Sequence, residues 1–231
     1  VKWLCLDEII LEVEKPPEAL VKKFQRHSVS TLCEVMGKRG FMTHEIKPIQ
    51  PNMKVVGPVF TVFCHVGDNL MLHKALELAE KGDVLVVNAG GYKEAGGMWG
   101  EIMTLAAKAR GVAGLVIDGA VRDIAAIREL GFPVFARAVS PGGTVKESLG
   151  FINKPVLCGG LIVNPGDIVV GDDDGVVVVP RNIAEDAADK AEAREKREEE
   201  VKKLIQQGKS TMEIYGFDKV LRQKGVKEVR R

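Results

Sequence analysis

The chain has 231 residues, with 33 Lys plus Arg against 32 Asp plus Glu, a formal net charge of +1 and 5% aromatic residues. A sequence-independent nucleic-acid binder carries a basic excess and stacking aromatics, so charge and composition exclude nothing more firmly than that class. A hydrophobic fraction of 45% over this length suffices for a full core without disulfide or metal staples.

In chain order, residues 18–37 read as helical, with a break at 28–31 where Ser28, Ser30 and Thr31 offer N-cap side chains. Apolar, β-branched runs at 55–66, 83–88, 114–118, 133–139, 155–163, 167–170 and 175–179 are bounded by Gly, Pro, Asn and Asp, as strands are. Helical patterns fill 68–81, 100–110 and 122–130, the last two stopped by Gly111 and Gly131. Strand and helix alternate in the middle and strands alone follow, which predicts an α/β core joined to extra β-structure. After Pro180, Asn182 is positioned to cap a long helix reaching about residue 207 and ended by Gly208. Its stripe of Ala184, Ala187, Ala188, Ala191, Val201, Leu204 and Ile205 is too short and alanine-rich for a coiled coil.

Charge density changes at the same place. Residues 1–180 hold 19 basic and 21 acidic side chains, and residues 181–231 hold 14 and 11. Two units follow: an α/β body, 1–180, and a charged helical extension, 181–231, suited to packing along its own body or on a neighbouring subunit. The four cysteines, Cys5, Cys33, Cys64 and Cys158, lack zinc-ligand spacing and read as reduced thiols. No apolar run nears the roughly 18 residues of a membrane span, and no basic stretch leads into a hydrophobic segment at the amino end, so a cytoplasmic protein without membrane contact is expected.

The stretch richest in chemistry is Gly96-Gly97-Met98-Trp99-Gly100-Glu101, followed after twenty residues by Arg122-Asp123. A helix from Glu101 travels about 15 Å at 1.5 Å per residue, and the next strand returns about 20 Å at 3.3 Å per residue. Both ends therefore meet at one sheet edge. There the glycines, Gly100 among them, let backbone approach a ligand, and the free N–H groups of Ile102 and Met103 favour a carboxylate. Arg122 is a permanent planar cation for an enolate or carboxylate oxygen. Asp123 and Glu101 are hard oxygen donors of the kind that suits Mg²⁺ or Mn²⁺. Singly, each piece also reads as an ordinary turn, helix-dipole partner or surface pair; the joint spacing describes a 2-keto acid held on a divalent cation.

These residues resemble the RraA-like family, which includes class II pyruvate aldolases acting on 4-hydroxy-4-methyl-2-oxoglutarate and 4-carboxy-4-hydroxy-2-oxoadipate. The family pattern is an acidic residue, twenty residues, then Arg-Asp; the aldolases often have Asp where this chain has Glu101. The likeness extends through 30–37, 82–91, 111–119, 131–137, 165–167 and 172–180. It implies a swivelling β/β/α domain and a trimer or a hexamer of two trimers. It further implies a metal held by Asp123 directly and by Glu101 through water, and an enolate stabilised by Arg122. A glutamate from the C-terminal helix of an adjacent subunit completes the family's site, and counting back from Gly208 places it at Glu198. Periodicity agrees: seven residues fall about 20° short of two turns, so Ala191, Glu198 and Ile205 align, and Glu198 is read as the only carboxylate on the packing stripe. The expected activity is retro-aldol release of pyruvate plus a second 2-oxo acid, with oxaloacetate decarboxylation alongside.

The competing expectation is a non-catalytic family member that binds a ribonuclease. A methyltransferase finds no support, since no Gly-rich loop with an acidic partner follows a first strand. The run Asp172-Asp173-Asp174-Gly175 reads as a hairpin turn rather than a metal loop. His65 and His73 flank a strand-to-helix connection near the site, with structural roles favoured, and Arg137 at a strand end is a weak candidate for substrate contact.

Overall fold

The computed structural model describes residues 7–92 and 96–229, so Cys5 lies outside the described residues. Two short helices come first, α1 (Glu18–Phe24) and α2 (Val29–Val35), parted where Ser28 Oγ accepts the Thr31 N–H at 3.1 Å as an N-cap. The alternating stretch then runs β1 (Lys47–Pro48), β2 (Val55–Phe63), α3 (Leu70–Leu78), β3 (Val84–Asn88), α4 (Glu101–Ala109), β4 (Gly114–Val121), α5 (Ile124–Leu130) and β5 (Val134–Val139). Strands alone follow: β6 (Phe151–Ile152), β7 (Val156–Cys158), β8 (Leu161–Val163), β9 (Ile168–Asp172) and β10 (Gly175–Val179). Helices α6 (Ala184–Gln206), α7 (Thr211–Tyr215) and α8 (Phe217–Gln223) close the chain.

The main sheet has the order β1-β5-β4-β3-β2-β9-β10, with β2 to β5 parallel and β9, β10 and β1 added antiparallel. Phe41 bridges to Val177 of β10, so the two edges approach and the sheet curls into a nearly closed barrel. The predicted mixed α/β fold with a strand-rich second half and a long C-terminal helix is the fold the chain adopts.

Side-chain alternation sorts the core into layers. Val176 and Val178 of β10 join Val59, Val86, Val116 and Phe135 inside the barrel, whereas Val177 and Val179 point out to Phe24, Leu32 and the alanines of α6. On the parallel half, Leu85, Leu115 and Val134 face α3, α4 and α5. Each such fully buried aliphatic contributes about 1.5–3 kcal/mol, and the parallel strands, covered on both faces, are accordingly continuous in valine, leucine and isoleucine.

Three local features settle the detail. Residues 155–163 form not one strand but the hairpin β7–β8, because Gly159 and Gly160 both take positive φ, 58° and 82°, as a two-residue hairpin turn demands. Asn182 does not cap α6; a 3-10 turn at Arg181–Ile183 leads into the helix, whose cap makes no side-chain hydrogen bond. The helix itself ends as predicted, with Gly208 at φ 89°. The aspartate run is, as expected, a hairpin turn between β9 and β10, Asp172 Oδ1 accepting the Asp174 N–H at 2.9 Å. Cys33, Cys64 and Cys158 are free thiols, and burial pushes that of Cys64 up to about 12. Among the described residues no helix is long and apolar enough to cross a membrane.

Close packing makes α6 sensitive to volume. Ala188 is 1% exposed, so Ala188→Leu should cost about 1–3 kcal/mol through overpacking. The check is a lowered urea midpoint with an unchanged m-value.

Candidate active site

The segment before α4 is laid against the end of β4 as a short parallel strip. Met98 N–H donates to Ala120 O and Arg122 N–H to Trp99 O, both at 2.8 Å, with a Trp99–Val121 bridge between them. Trp99 anchors the strip: it is fully buried, stacks on Phe132 and donates from Nε1 to Thr104 Oγ1 at 2.7 Å. Thr104 Oγ1 in turn donates to Gly100 O at 3.0 Å, which ties the first turn of α4 to the residue that opens it.

Such proximity needs glycine at two points. A Cβ at Gly97 would lie 2.6 Å from Arg122 Cβ and 2.7 Å from Ser140 O, and one at Gly100 would overlap Asp123 Oδ2. Into the space at Gly100 comes Asp123 itself, held left-handed at φ 56°, ψ 39°. Its Oδ2 accepts the Glu101 N–H at 3.1 Å and stands 3.6 Å from Arg122 Nε. An acidic side chain thus takes one free donor of the α4 N-terminus, while the N–H groups of Ile102 and Met103 keep no helical partner.

Arg122, Asp123, Gly100, Ile102 and Met103 line one cleft of about 210 Å³ with Asn69, His73 and Lys146. The predicted residues Gly100, Ile102, Met103, Arg122 and Asp123 therefore come together. Glu101 joins them through its backbone, and its side chain is not among those lining the cleft. Glu198 is elsewhere on its own chain: it pairs with Arg194 at 2.9 Å and lines a separate groove with Ser28 and Thr31. Nor is it the only carboxylate on the packing face of α6. Glu195, four residues after Ala191, shares that face and its Oε2 lies 2.9 Å from Nδ1 of the fully buried His27.

Several residues of the site carry no motif. Asn69, 7% exposed, donates from Nδ2 to Met98 O at 3.0 Å and leaves Oδ1 without a partner among the described residues. His73 lines the cleft, although a structural role is the expectation from sequence; burial first, and the positive charge of Lys146 second, hold its pKa below the ordinary histidine value. His65 instead packs edge-on against Phe63. Arg137 is taken up by ion pairs to Asp118 and Glu45, away from the residues lining the cleft. The usable signal for Asn69 and His73 is their place in the first two turns of a helix entered from a sheet edge; Lys146 lies in an irregular segment with no periodicity to read.

Among the described residues no three His, Cys, Asp or Glu side chains converge as a metal cage. The exposed Asp123 carboxylate fits the donor set of Mg²⁺ or Mn²⁺, which keep waters and use one or two carboxylates completed by substrate oxygens.

Comparison with known proteins agrees with this architecture. The RraA-like family model, described as Aldolase/RraA, matches residues 29–178. The "Putative 4-hydroxy-4-methyl-2-oxoglutarate aldolase" of Halalkalibacterium halodurans is 39% identical over 195 residues, 84% of this chain and 92% of that protein. An uncharacterized protein of Methanocaldococcus jannaschii is 37% identical over 83% of this chain and 91% of its own length. Among solved structures, RraAS2 of Streptomyces coelicolor, described as an unusual member of the RNase ES inhibitor RraA protein family, superposes with a TM-score of 0.73 at 33% identity, covering 81% of this chain and 98% of that one. The chain belongs to the RraA-like family.

The backbone at Asp123 separates two of its roles. Asp123→Ala loses the acceptor for the α4 N-terminus and puts alanine in a left-handed conformation, at a cost of about 1–2 kcal/mol. Asp123→Asn tolerates that conformation and keeps an oxygen, so it should cost under about 0.5 kcal/mol. Chemical denaturation of the two variants side by side measures the difference.

Proposed function

We propose that this protein is a divalent-metal-dependent aldolase of the class II pyruvate type, using Mg²⁺ or Mn²⁺. Its substrates are of the 4-hydroxy-4-methyl-2-oxoglutarate or 4-carboxy-4-hydroxy-2-oxoadipate type, cleaved to pyruvate and a second 2-oxo acid, with oxaloacetate decarboxylation as a side activity. The observation that carries the reading is the convergence of the Asp123 carboxylate, the Arg122 guanidinium and the open N-terminus of α4 in one cleft. The name of the Halalkalibacterium halodurans relative supports the same direction.

In this reading the N–H groups of Ile102 and Met103 receive the substrate carboxylate, and Asp123, with Glu101 at one remove, holds the cation. Bound there, the cation supplies Lewis-acid polarisation of the 2-oxo group. Removal of the C4 hydroxyl proton, by a water that Glu198 of the partner subunit orients, turns the C–O bond into a carbonyl as the C3–C4 bond breaks. The electron pair of that bond becomes the pyruvate enolate, whose oxygen charge Arg122 stabilises. Protonation at C3 releases pyruvate. Oxaloacetate reaches the same enolate by losing CO₂, so one set of residues serves both reactions. Assembly as a homotrimer or homohexamer in the cytoplasm belongs to the same proposal, because the site is incomplete without Glu198.

The second reading, a regulator that binds a ribonuclease, draws on the likeness to the Streptomyces coelicolor protein, a member of the RNase ES inhibitor family. The glycine-lined strip and the cation pair in the cleft have no evident use in it.

Purified protein with Mg²⁺ or Mn²⁺ should release pyruvate from both substrate classes in a lactate dehydrogenase-coupled assay, lose the activity in EDTA and regain it on metal addition. Arg122→Ala should lower kcat about 10²–10³-fold, the loss typical for one donor to a developing oxyanion. Absence of pyruvate from all of these substrates, or an unchanged rate in the variant, sinks the aldolase reading; retention of a ribonuclease together with no metal affinity favours the regulator.

A further inference from the structure

The irregular segment between β5 and β6 carries little regular structure, yet its backbone is pinned on both sides of Lys146. Val145 N–H donates to Gly67 O at 2.9 Å and Val145 O accepts from Asn69 N–H at 3.1 Å. Beyond Lys146, the N–H groups of Glu147 and Ser148 both donate to Asp68 Oδ2, at 2.7 and 2.6 Å. Asp68 Oδ1 accepts the N–H of Leu70, at 2.9 Å, so a carboxylate only 2% exposed is spent wholly on joining this segment to the start of α3. Burial alone would raise its pKa, but the N–H donors of Leu70, Glu147 and Ser148, with the Ser148 side chain, together outweigh it and hold the group below the usual carboxylate value.

The residue so pinned is an uncommitted cation. Lys146 makes no ion pair or side-chain hydrogen bond among the described residues, and it lines the same cleft as Arg122. Arg122 by contrast already has Asp123 beside it. With one substrate carboxylate received by the N–H groups of α4, Lys146 is left as a second positive charge in a cleft of about 210 Å³. A space of this size takes a small acid rather than a polymer.

We infer that Lys146 recognises the second carboxylate of a dicarboxylic 2-oxo acid, and that Asp68 is the positioning residue that fixes Lys146 over the cleft. The inference rests on the aldolase reading and names what that reading leaves open, the feature that separates a dicarboxylic substrate from a 2-oxo monocarboxylate. Arg would preserve the charge at 146 with a different reach, and Met would preserve the length without the charge.

Two reactions that pass through the same enolate make the test. Cleavage of 4-hydroxy-4-methyl-2-oxoglutarate presents a second carboxylate that keeps its charge throughout the reaction; exchange of the pyruvate methyl protons in D₂O, followed by NMR, offers the site only one. Lys146→Met should lower kcat/KM for 4-hydroxy-4-methyl-2-oxoglutarate cleavage relative to pyruvate exchange by about tenfold or more, mainly through KM, and Lys146→Arg should restore part of the ratio. Asp68→Asn should move the ratio the same way with its KM raised more than its kcat is lowered. If wild-type protein exchanges pyruvate and Lys146→Met leaves the ratio unaltered, Lys146 has no such role and the aldolase reading stands. If Asp68→Asn slows both reactions equally, its positioning role is overturned. Wild-type protein that performs neither reaction takes down the aldolase reading and this inference together.

Discussion

The cleft depends on one steric constraint: the strip of residues 97–100 must lie flat against the end of β4. The two backbone bonds from Met98 and Arg122 hold it there, and the buried Trp99 keeps it from lifting. Only glycine at 97 and 100 leaves room for Arg122 and Asp123 on the opposing edge. Asp123 then uses the vacated volume twice, as acceptor for the helix N-terminus and as an anionic group open to the cleft. A helix that begins beside the end of the strand it precedes is the natural outcome of a parallel β-α-β crossover. What this chain adds is the absence of side chains at the point of closest approach, so that backbone donors, a guanidinium and a carboxylate occupy one small volume.

A second constraint acts from across the cleft. The parallel strands fix one wall through hydrogen bonds and valine packing, but the opposite wall is an irregular segment that has no ladder to stabilise it. Asp68 supplies what the ladder does not. A carboxylate at 2% exposure is costly unless its oxygens are satisfied, and here three backbone N–H groups satisfy them. The desolvation cost of one aspartate is offset by ordering a segment that would otherwise carry unpaired donors. Asp118 plays a comparable part within β4, where besides pairing with Arg137 it accepts the Gly159 N–H at 2.8 Å and so ties the β7–β8 turn to the middle of that strand.

Much of this was legible in the amino-acid sequence. Alternation of apolar runs with Gly-stopped helical patterns gives β2 to β5 and their crossovers, because buried parallel strands are uniformly apolar and C-terminal helix glycines are hard to mistake. The spacing from Glu101 to Asp123 gives one wall of the cleft for the same geometric reason. Closure of the barrel was not legible, since it depends on the pairing of β9 with β2 and the contact of Phe41 with β10, distant segments whose partners no local pattern specifies. The split of 155–163 into a hairpin was available in Gly159-Gly160 but masked by the valines and leucine around them. Lys146 was out of reach because an irregular segment has no period, and Asp68 because a lone aspartate before a helix reads as an ordinary cap.

Helix α6 shows how far one periodicity argument carries. The seven-residue advance from Ala191 to Glu198 is correct, yet the face of a helix is wider than one line, and Glu195 falls on it as well. The two glutamates meet different surroundings. Glu195 is engaged by His27, a side chain with no exposure whose Nε2 lacks a partner among the described residues, so this pair belongs to the packing of α6 on α2 within the chain. Glu198 comes one turn later, where burial is already declining and its close partner is Arg194 on the same helix. An i, i+4 pair on an accessible helix is worth a few tenths of a kcal/mol, so the structure commits Glu195 and leaves Glu198 nearly free. The buried alanines end at 191, and Ile205, Tyr215, Phe217 and Val220 beyond that point remain exposed. A charged helix with apolar side chains uncovered at its far end is stable in isolation only at a cost in exposed apolar surface. The first half of α6 is therefore a structural element of the chain that carries it, and the second half is the part whose sequence is not explained by that chain's own packing.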